Sequence, residues 1–306
     1  MTGVPSEFTH PGPPPSRPEL PEGVERPPEP PADALPRVGV PVWAPFLAIL
    51  GAFMGVLAAG FVVGLVLGIS GSDTEDLTDS DTLTIVLTLV QDACLIAASV
   101  LVVRWLAGRL SPATFGLRGT AWKPALGWTA LAYGAFWVAA IVVGLIFGNP
   151  DEQDLVVDLK AEDSIGILIG FGLMTCLVAP VAEEFFFRGF MFRVLAERTN
   201  VAVGAIVTGA LFGLVHLPSG DLIGVLVLAL FGVALCLVFW RTSSLLPCIM
   251  LHAFHNSISF GVTKELPWWG FLLLIAGSVT TTLAVSLLAT RIGRRPAPPA
   301  VASAPG

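Results

Sequence analysis

Two adjacent glutamates, Glu183 and Glu184, lie inside a strongly apolar stretch of the chain, residues 166–190. A carboxylate at membrane depth costs about 3 kcal/mol on insertion scales. A fold that carries two of them side by side is expected to use at least one. Buried carboxylates transfer protons, either to activate a water or to relay protons through a membrane protein. The chemistry of this chain is therefore expected at these two positions.

Three other polar residues fall at the same depth when the neighbouring apolar stretches are read as helices. Glu183 lies 17 residues before the predicted turn at Asn200, and His216 lies 16 residues after it. At about 1.5 Å per residue both are about 25 Å from that turn, so they should face each other. His252 reaches this level on a later stretch if the turn projects about 8–9 Å beyond the membrane. Asn256 is one helical turn further and shares its face.

Two local pairs support this cluster. Glu184 and Arg188 are four residues apart with the acid first, which is the favourable order on a helix. The arginine either serves the chemistry of its neighbours or only neutralises a buried acid. Phe212 precedes His216 by one turn and could form a wall of the cavity.

Two polar residues at depth receive structural interpretations. Asp92, next to Gln91, is predicted to form a buried hydrogen bond between helices. His255 neighbours the His252 face without further support and is read as packing.

The composition explains why these residues must be placed in a membrane. The chain has 306 residues, of which 54% are hydrophobic and only 13% charged, with mean hydropathy +0.81. Soluble domains average about 25% charged residues, so a polytopic membrane protein of the cell membrane is predicted. No basic stripe is present, and no nucleic-acid partner is expected.

Eight apolar stretches are long enough to cross a bilayer. They are residues 43–69, 83–107, 122–147, 166–190, 200–218, 221–240, 243–263 and 268–290. The even connections are basic, with Arg188, Arg193 and Arg198 assigned to the fourth, and the odd connections are acidic. The positive-inside rule therefore places both termini in the cytoplasm, which requires an even number of spans. The predicted fold class is an all-α polytopic membrane protein with about eight transmembrane helices.

The chain divides into five regions by composition. Residues 1–41 are predicted to be a disordered, Pro-rich cytoplasmic tail, and 296–306 a second disordered tail. Residues 42–165 are predicted scaffold helices, 166–262 the catalytic transmembrane core, and 263–295 the final transmembrane helix.

The candidate residues form three short motifs in chain order: Glu183-Glu184-x-x-x-Arg188, Phe212-x-x-x-His216 and His252-x-x-x-Asn256. This pattern resembles the CPBP family, the CAAX prenyl protease and bacteriocin-processing proteins, also called the Abi family of intramembrane endopeptidases. The resemblance covers roughly residues 166–260. All three motifs are present without a departure at their key positions.

The resemblance implies a peptidase mechanism in which a glutamate activates water near the cytoplasmic membrane boundary. Glu183 would be the general base, and His216 would hold and polarise the water. His252 and Asn256 would donate hydrogen bonds to the oxyanion of the tetrahedral intermediate. The supporting residues would be Glu184, Arg188 and Phe212.

The resemblance requires no cofactor, although family members are often labelled metallopeptidases. If a divalent metal binds, its expected ligands are Glu183, His216 and His252, but the chain has no H-E-x-x-H motif. The expected partners are a peptide or membrane-protein substrate and the lipid bilayer. A proton-coupled transporter remains open as an alternative, as does a non-catalytic membrane scaffold or immunity protein.

Overall fold

The computed structural model describes residues 35–70, 81–108 and 110–292. Nine helices are defined here: α1 Ala44–Ser70, α2 Asp81–Ala107, α3 Trp122–Phe147, α4 Asp154–Ala161, α5 Ile165–Arg198, α6 Val201–Leu214, α7 Leu222–Thr242, α8 Leu245–Thr263 and α9 Trp268–Ile292. Short 3₁₀ turns occur at Pro112–Phe115 and Leu217–Ser219. No strand occurs within the described ranges, which confirms the all-α prediction.

Eight of these helices are long and apolar enough to cross a membrane, as predicted. The fourth of them, α5, continues well past the predicted end at residue 190. The short helix α4 was not predicted, because its connection was read only as an acidic loop. Most of the predicted tails 1–41 and 296–306, and the acidic residues 73–79, lie outside the described residues. The cytoplasmic position of the termini stays a prediction.

Helix α5 is not a regular α-helix along its whole length. It contains two π-helical segments, Met174–Val178 and Phe185–Phe192, which enclose the short α-helical segment Ala179–Glu184. Pro180 lacks the backbone N–H that would bond to the carbonyl four residues earlier, and the first π segment lies directly before it. Widened turns of this kind are frequent at functional sites. Here they set the direction of the two glutamates between them.

Helices α6 and α7 approach each other closely through glycines. A Cβ atom added to Gly232 would lie 2.8 Å from the Cα of Gly209 and 3.1 Å from the Cβ of Phe212. Small residues let membrane helices pack backbone to backbone, where van der Waals contact replaces the hydrophobic effect. This contact brings the ring of Phe212 and the carbonyl of Gly232 next to α5.

Arg193 shows that one charge assigned to a connection is structural. Its side chain is 6% exposed, and it donates hydrogen bonds to the carbonyls of Ala113, Thr114 and Pro36. It also pairs with Glu197 at 3.4 Å. This arginine, counted among the basic residues of the fourth connection, is therefore buried and bonded to three backbone carbonyls.

Candidate active site

Glu184 is the centre of a buried polar network. One of its oxygens, Oε1, accepts a hydrogen bond from Nη1 of Arg188 at 2.7 Å and another from Nδ1 of His252 at 2.8 Å. The side chains of Glu184 and Arg188 are both 0% exposed. Two charge-assisted donors compensate the desolvation of this carboxylate. The network joins α5 to α8 and fixes the ring of His252.

Arg188 is held by more than its acid partner. Its Nη2 donates to the carbonyl of Gly232 at 3.0 Å, and its guanidinium carbon lies 4.5 Å from the centre of the Phe212 ring. The predicted pairing of Arg188 with Glu184 occurs in the structure, with the arginine completely buried between α5, α6 and α7. Its charge balances Glu184.

Glu183 differs from its neighbour in lacking donors. Its Oε2 lies 3.9 Å from Nε2 of His252, beyond hydrogen-bond length. This oxygen is buried and has no hydrogen-bond partner among the described residues, while the whole side chain is 14% exposed. Glu184 accepts two hydrogen bonds on Oε1 and leaves its Oε2 without a partner, whereas no hydrogen bond to Glu183 occurs among the described residues.

The two site histidines are oriented by their Nδ1 atoms. Nδ1 of His216 lies 2.8 Å from the carbonyl oxygen of Phe212, and Nδ1 of His252 faces the carboxylate of Glu184. Because these oxygens accept, each Nδ1 carries a proton, and each neutral ring keeps its lone pair on Nε2. The ring of Phe212 contacts both imidazoles, at centroid distances of 5.3 and 5.8 Å. Both histidines thus present Nε2 for chemistry.

Asn256 is fixed by the first π segment of α5. Its Nδ2 donates to the carbonyl of Thr175 at 2.9 Å. The amide nitrogen has a second N–H, so one donor remains available.

His255 and Asp92 lie beside the network. His255 accepts or donates a hydrogen bond with the Tyr133 hydroxyl at 3.1 Å and packs on the Phe231 ring at 4.4 Å. Asp92 is 1% exposed, yet neither of its carboxyl oxygens has a hydrogen-bond partner among the described residues. The predicted interhelical hydrogen bond of Asp92 is therefore wrong.

A bound metal ion is the alternative to a site that consists of protein groups alone. Among the residues that the structure describes, no three His, Cys, Asp or Glu side chains are grouped as metal ligands. Glu183, His216 and His252 are therefore not grouped as a ligand set in this structure.

Several partners of the site were not predicted from the sequence. They are the carbonyls of Thr175 and Gly232, the hydroxyl of Tyr133, and the glycines Gly209 and Gly213. The spacing Gly209-x-x-x-Gly213 is the signal that could have been used, because small residues four apart mark close helix contacts in membranes. Backbone acceptors leave no such signal in the side-chain pattern.

Comparison with known proteins agrees with this geometry. Residues 165–258 match the family model described as "Type II CAAX prenyl endopeptidase Rce1-like". The chain is also 24% identical over 144 residues to a Bacillus subtilis (strain 168) protein described as "Putative membrane peptidase YdiL". That match spans 44% of this chain and 57% of the relative. No solved structure matches the chain significantly.

The matched segment contains all three motifs and every residue of the buried network. The eight apolar helices and the family match confirm a multi-pass protein of the cell membrane. The resemblance predicted from the motifs is likewise confirmed, since residues 165–258 match the Rce1-like family model.

Proposed function

We propose that this protein is an intramembrane endopeptidase that hydrolyses peptide bonds near the cytoplasmic membrane boundary with water activated by Glu183. The observation that carries the proposal is the asymmetry of the two acids. Through Oε1, Glu184 accepts hydrogen bonds from Arg188 and His252, whereas Glu183 faces the same imidazole at 3.9 Å and accepts no hydrogen bond among the described residues. The family match over residues 165–258 supports the same reaction class.

The first step is removal of a proton from water. A water bound to Glu183 would give one proton to its carboxylate while its oxygen attacks the carbonyl carbon of the scissile bond. Nε2 of His216 carries a lone pair and would accept the second hydrogen of this water, which orients it. The proton held by Glu183 then passes to the amine that leaves, so the products are a carboxylic acid and an amine.

The second requirement is stabilisation of the oxyanion. Asn256 keeps one free N–H after bonding to the carbonyl of Thr175. His252 can donate from Nε2 only as an imidazolium, because its Nδ1 proton is already bonded to Glu184. Two donors aimed at a developing oxyanion are worth about 3 kcal/mol each in comparable enzymes. In this proposal Glu184 and Arg188 act by holding His252 in that orientation.

The experiment is cleavage of a membrane-tethered peptide library by the full chain in liposomes, with products identified by mass spectrometry. Wild type is compared with Glu183→Gln and His216→Ala, and Glu152→Gln, on an exposed connection, serves as a matched control. We expect cleavage by wild type and the control, and a loss on the order of a thousandfold or more for Glu183→Gln. Equal cleavage by all four proteins would end the peptidase assignment.

Two further arms separate the alternatives. Exhaustive chelation should leave cleavage unchanged if water is activated by Glu183 alone, and loss restored by added metal would support the metal-dependent reading. Proton uptake by the liposomes that depends on Glu183, without peptide cleavage, would support the proton-coupled transporter instead. Neither activity in folded protein would favour the non-catalytic scaffold.

A further inference from the structure

Arg241, in the last turn of α7, is held by two tryptophan rings. Its guanidinium carbon lies 4.1 Å from the centre of the Trp128 ring and 4.2 Å from that of the Trp240 ring. No hydrogen bond or ion pair to this guanidinium occurs among the residues that the structure describes. Contact with the face of an aromatic ring does not use the N–H donors of an arginine. The charged group is therefore placed by its neighbours while its donors remain unused.

The helices that carry these three side chains are fixed to each other. Helix α3, with Trp128, packs against α7. The hydroxyl of Thr120 donates to the carbonyl of Thr242 at 3.4 Å, and the hydroxyl of Ser244 donates to the carbonyl of Arg118 at 2.6 Å. These bonds join the connection before α3 to the turn after α7. Trp128, Trp240 and Arg241, named the Trp–Arg corner below, therefore form a preorganised group.

The Trp–Arg corner lies at the boundary of the membrane. The candidate span in α3 begins at Trp122, and the one in α7 ends at Thr242, so both helices leave the bilayer at this end. Arg241 is exposed, and Trp240 is 45% exposed. Tryptophan rings are enriched at this depth, where acyl chains meet the polar headgroups. The free donors of Arg241 are therefore at the level of the lipid phosphates.

The protein offers no acid to Arg241 at this boundary. The connections that reach it contain residues 104–123, 193–201 and 240–246, and Glu197 is the acid among them. Both carboxylate oxygens of Glu197 accept from the N–H of Val38 at 3.1 Å, and this carboxylate also pairs with Arg193 at 3.4 Å. Arg118 and Lys123 add positive charge nearby in the chain. A surface of this kind attracts anions, so the partner of Arg241 is expected from outside the protein.

We propose that the Trp–Arg corner binds the phosphate of an anionic membrane phospholipid. A guanidinium can donate two parallel hydrogen bonds to two phosphate oxygens, which a single ammonium cannot do. The indole rings would contact the glycerol and the upper acyl chain of the same lipid. A phospholipid is favoured over a free phosphate ion because the exposed rings need an apolar partner beside the charge. This inference does not depend on the proposed peptidase function.

The test measures binding of phosphatidylglycerol to the full chain in detergent, by native mass spectrometry, with zwitterionic phosphatidylcholine for comparison. Arg241→Gln removes the guanidinium, Arg241→Lys keeps the charge, and Lys123→Gln is the matched control that removes an exposed charge from the start of α3. We expect Arg241→Gln to weaken phosphatidylglycerol binding on the order of tenfold, because a charge-assisted bidentate contact is lost. Lys123→Gln should weaken it about threefold or less, and Arg241→Lys should fall between the two.

Diffuse attraction to a basic surface predicts a different pattern. Equal losses in Arg241→Gln and Lys123→Gln would overturn the proposal, as would equal affinity of wild type for the two lipids. Trp128→Leu keeps every charge and removes one ring, and we expect it to lose affinity about threefold or more while Trp128→Phe retains most of it. Wild-type affinity in Trp128→Leu would show that the rings have no part in binding. These variants test the site even if Arg241→Gln fails to fold.

A final arm identifies the source of the phosphate. Phosphatidylglycerol should raise the Tm of wild type more than that of Arg241→Gln, since a ligand stabilises only the protein that binds it. Inorganic phosphate in excess should neither displace the lipid nor reproduce this rise. Displacement of phosphatidylglycerol by inorganic phosphate, or an equal rise in Tm with it, would assign the corner to a soluble anion and overturn the lipid site.

Discussion

Helices α1 and α8 are both long and apolar enough to cross a membrane, but their surroundings are opposite. In the apolar window of α1, 11% of the residues are buried inside the protein, compared with 56% in α8. Yet α8 is the least hydropathic of the eight candidate spans, and α1 is among the most hydropathic. In a soluble protein the more apolar helix would be the more buried one.

The more hydropathic helix is the less buried one because the solvent around these helices is lipid. Lipid offers no hydrogen bonds, so a polar side chain in a spanning helix must find its partners inside the protein. On α8, His252 bonds to Glu184, Asn256 to the Thr175 carbonyl, and Ser257 to Ser278 at 2.6 Å. On α1, aromatic side chains require only contact with lipid acyl chains. Phe61, for example, is 71% exposed. The burial of α8 therefore follows from its polar side chains rather than from its hydropathy.

The comparison predicts that the largest loss of stability comes from breaking one partner of the buried network. Arg188→Met removes one of the two hydrogen bonds to the Glu184 carboxylate. It also removes the hydrogen bond that Arg188 donates to the Gly232 carbonyl. Removal of one partner of a buried ion pair costs about 3–5 kcal/mol. The free energy of unfolding, measured by denaturant titration in bicelles, should fall by that amount.

Two matched variants test the reason for this loss. In the double variant Arg188→Met with Glu184→Gln, part of the stability should return, because no charge is left uncompensated. Arg241→Met removes an exposed guanidinium that stacks on Trp128 and Trp240 at 4.1 and 4.2 Å, and should cost about 1 kcal/mol or less. Equal losses in the free energy of unfolding for Arg188→Met and Arg241→Met would contradict the prediction that the buried network stabilises the protein more than the exposed arginine does.

The sequence predicts the motif residues of the site well for a physical reason. Glu183, Glu184 and His252 are expensive at membrane depth, so their presence alone indicates a shared cavity. The pairing of Glu184 with Arg188 follows from helical spacing, since residues four apart share a face. Eight spans follow from hydropathy because the bilayer sets the length of each helix.

The remaining features depend on interactions that leave no side-chain pattern. The hydrogen bond from His252 to Glu184 rather than Glu183 depends on the π segments, which rotate the glutamates by part of a turn. The burial of Arg193 depends on carbonyls of distant turns. The burial of Asp92 depends on how α2 packs against α5. Spacing along one chain cannot give the rotation of one helix against another.

A smaller effect is expected where the backbones of α6 and α7 touch. Gly232→Ala would place a Cβ 2.8 Å from the Cα of Gly209, so the two helices must separate. Overpacking of this kind costs about 1–3 kcal/mol. Because the Gly232 carbonyl also accepts from Arg188, cleavage should fall together with the free energy of unfolding.

The matched glycine lies on the outer helix. A Cβ added at Gly60 of α1 meets no atom within 4 Å, so Gly60→Ala should be neutral or stabilise by about 0.5–1 kcal/mol through helix propensity. The free energy of unfolding of Gly60→Ala and of Gly232→Ala is measured in the same bicelles. A destabilisation by Gly60→Ala as large as that by Gly232→Ala would show that the outer helix is packed as tightly as the core.

The smallest effect belongs to Glu162, on the connection between α4 and α5. The backbone N–H of Ser164, together with a hydrogen bond from Asp81, lowers the pKa of Glu162, and its own carbonyl accepts from Lys264 at 2.8 Å. A lowered pKa in the folded state contributes stability above the unfolded value, near pH 4.3, which is lost as pH falls through the folded pKa. Glu162→Gln should therefore lower Tm slightly at neutral pH, and the difference from wild type should shrink below about pH 4.

Solvent screens this group, unlike the carboxylates of the site, so cleavage should stay unchanged. A difference that grows on acidification would reverse the sign of the linkage, and lost cleavage would connect this exposed acid to the buried network.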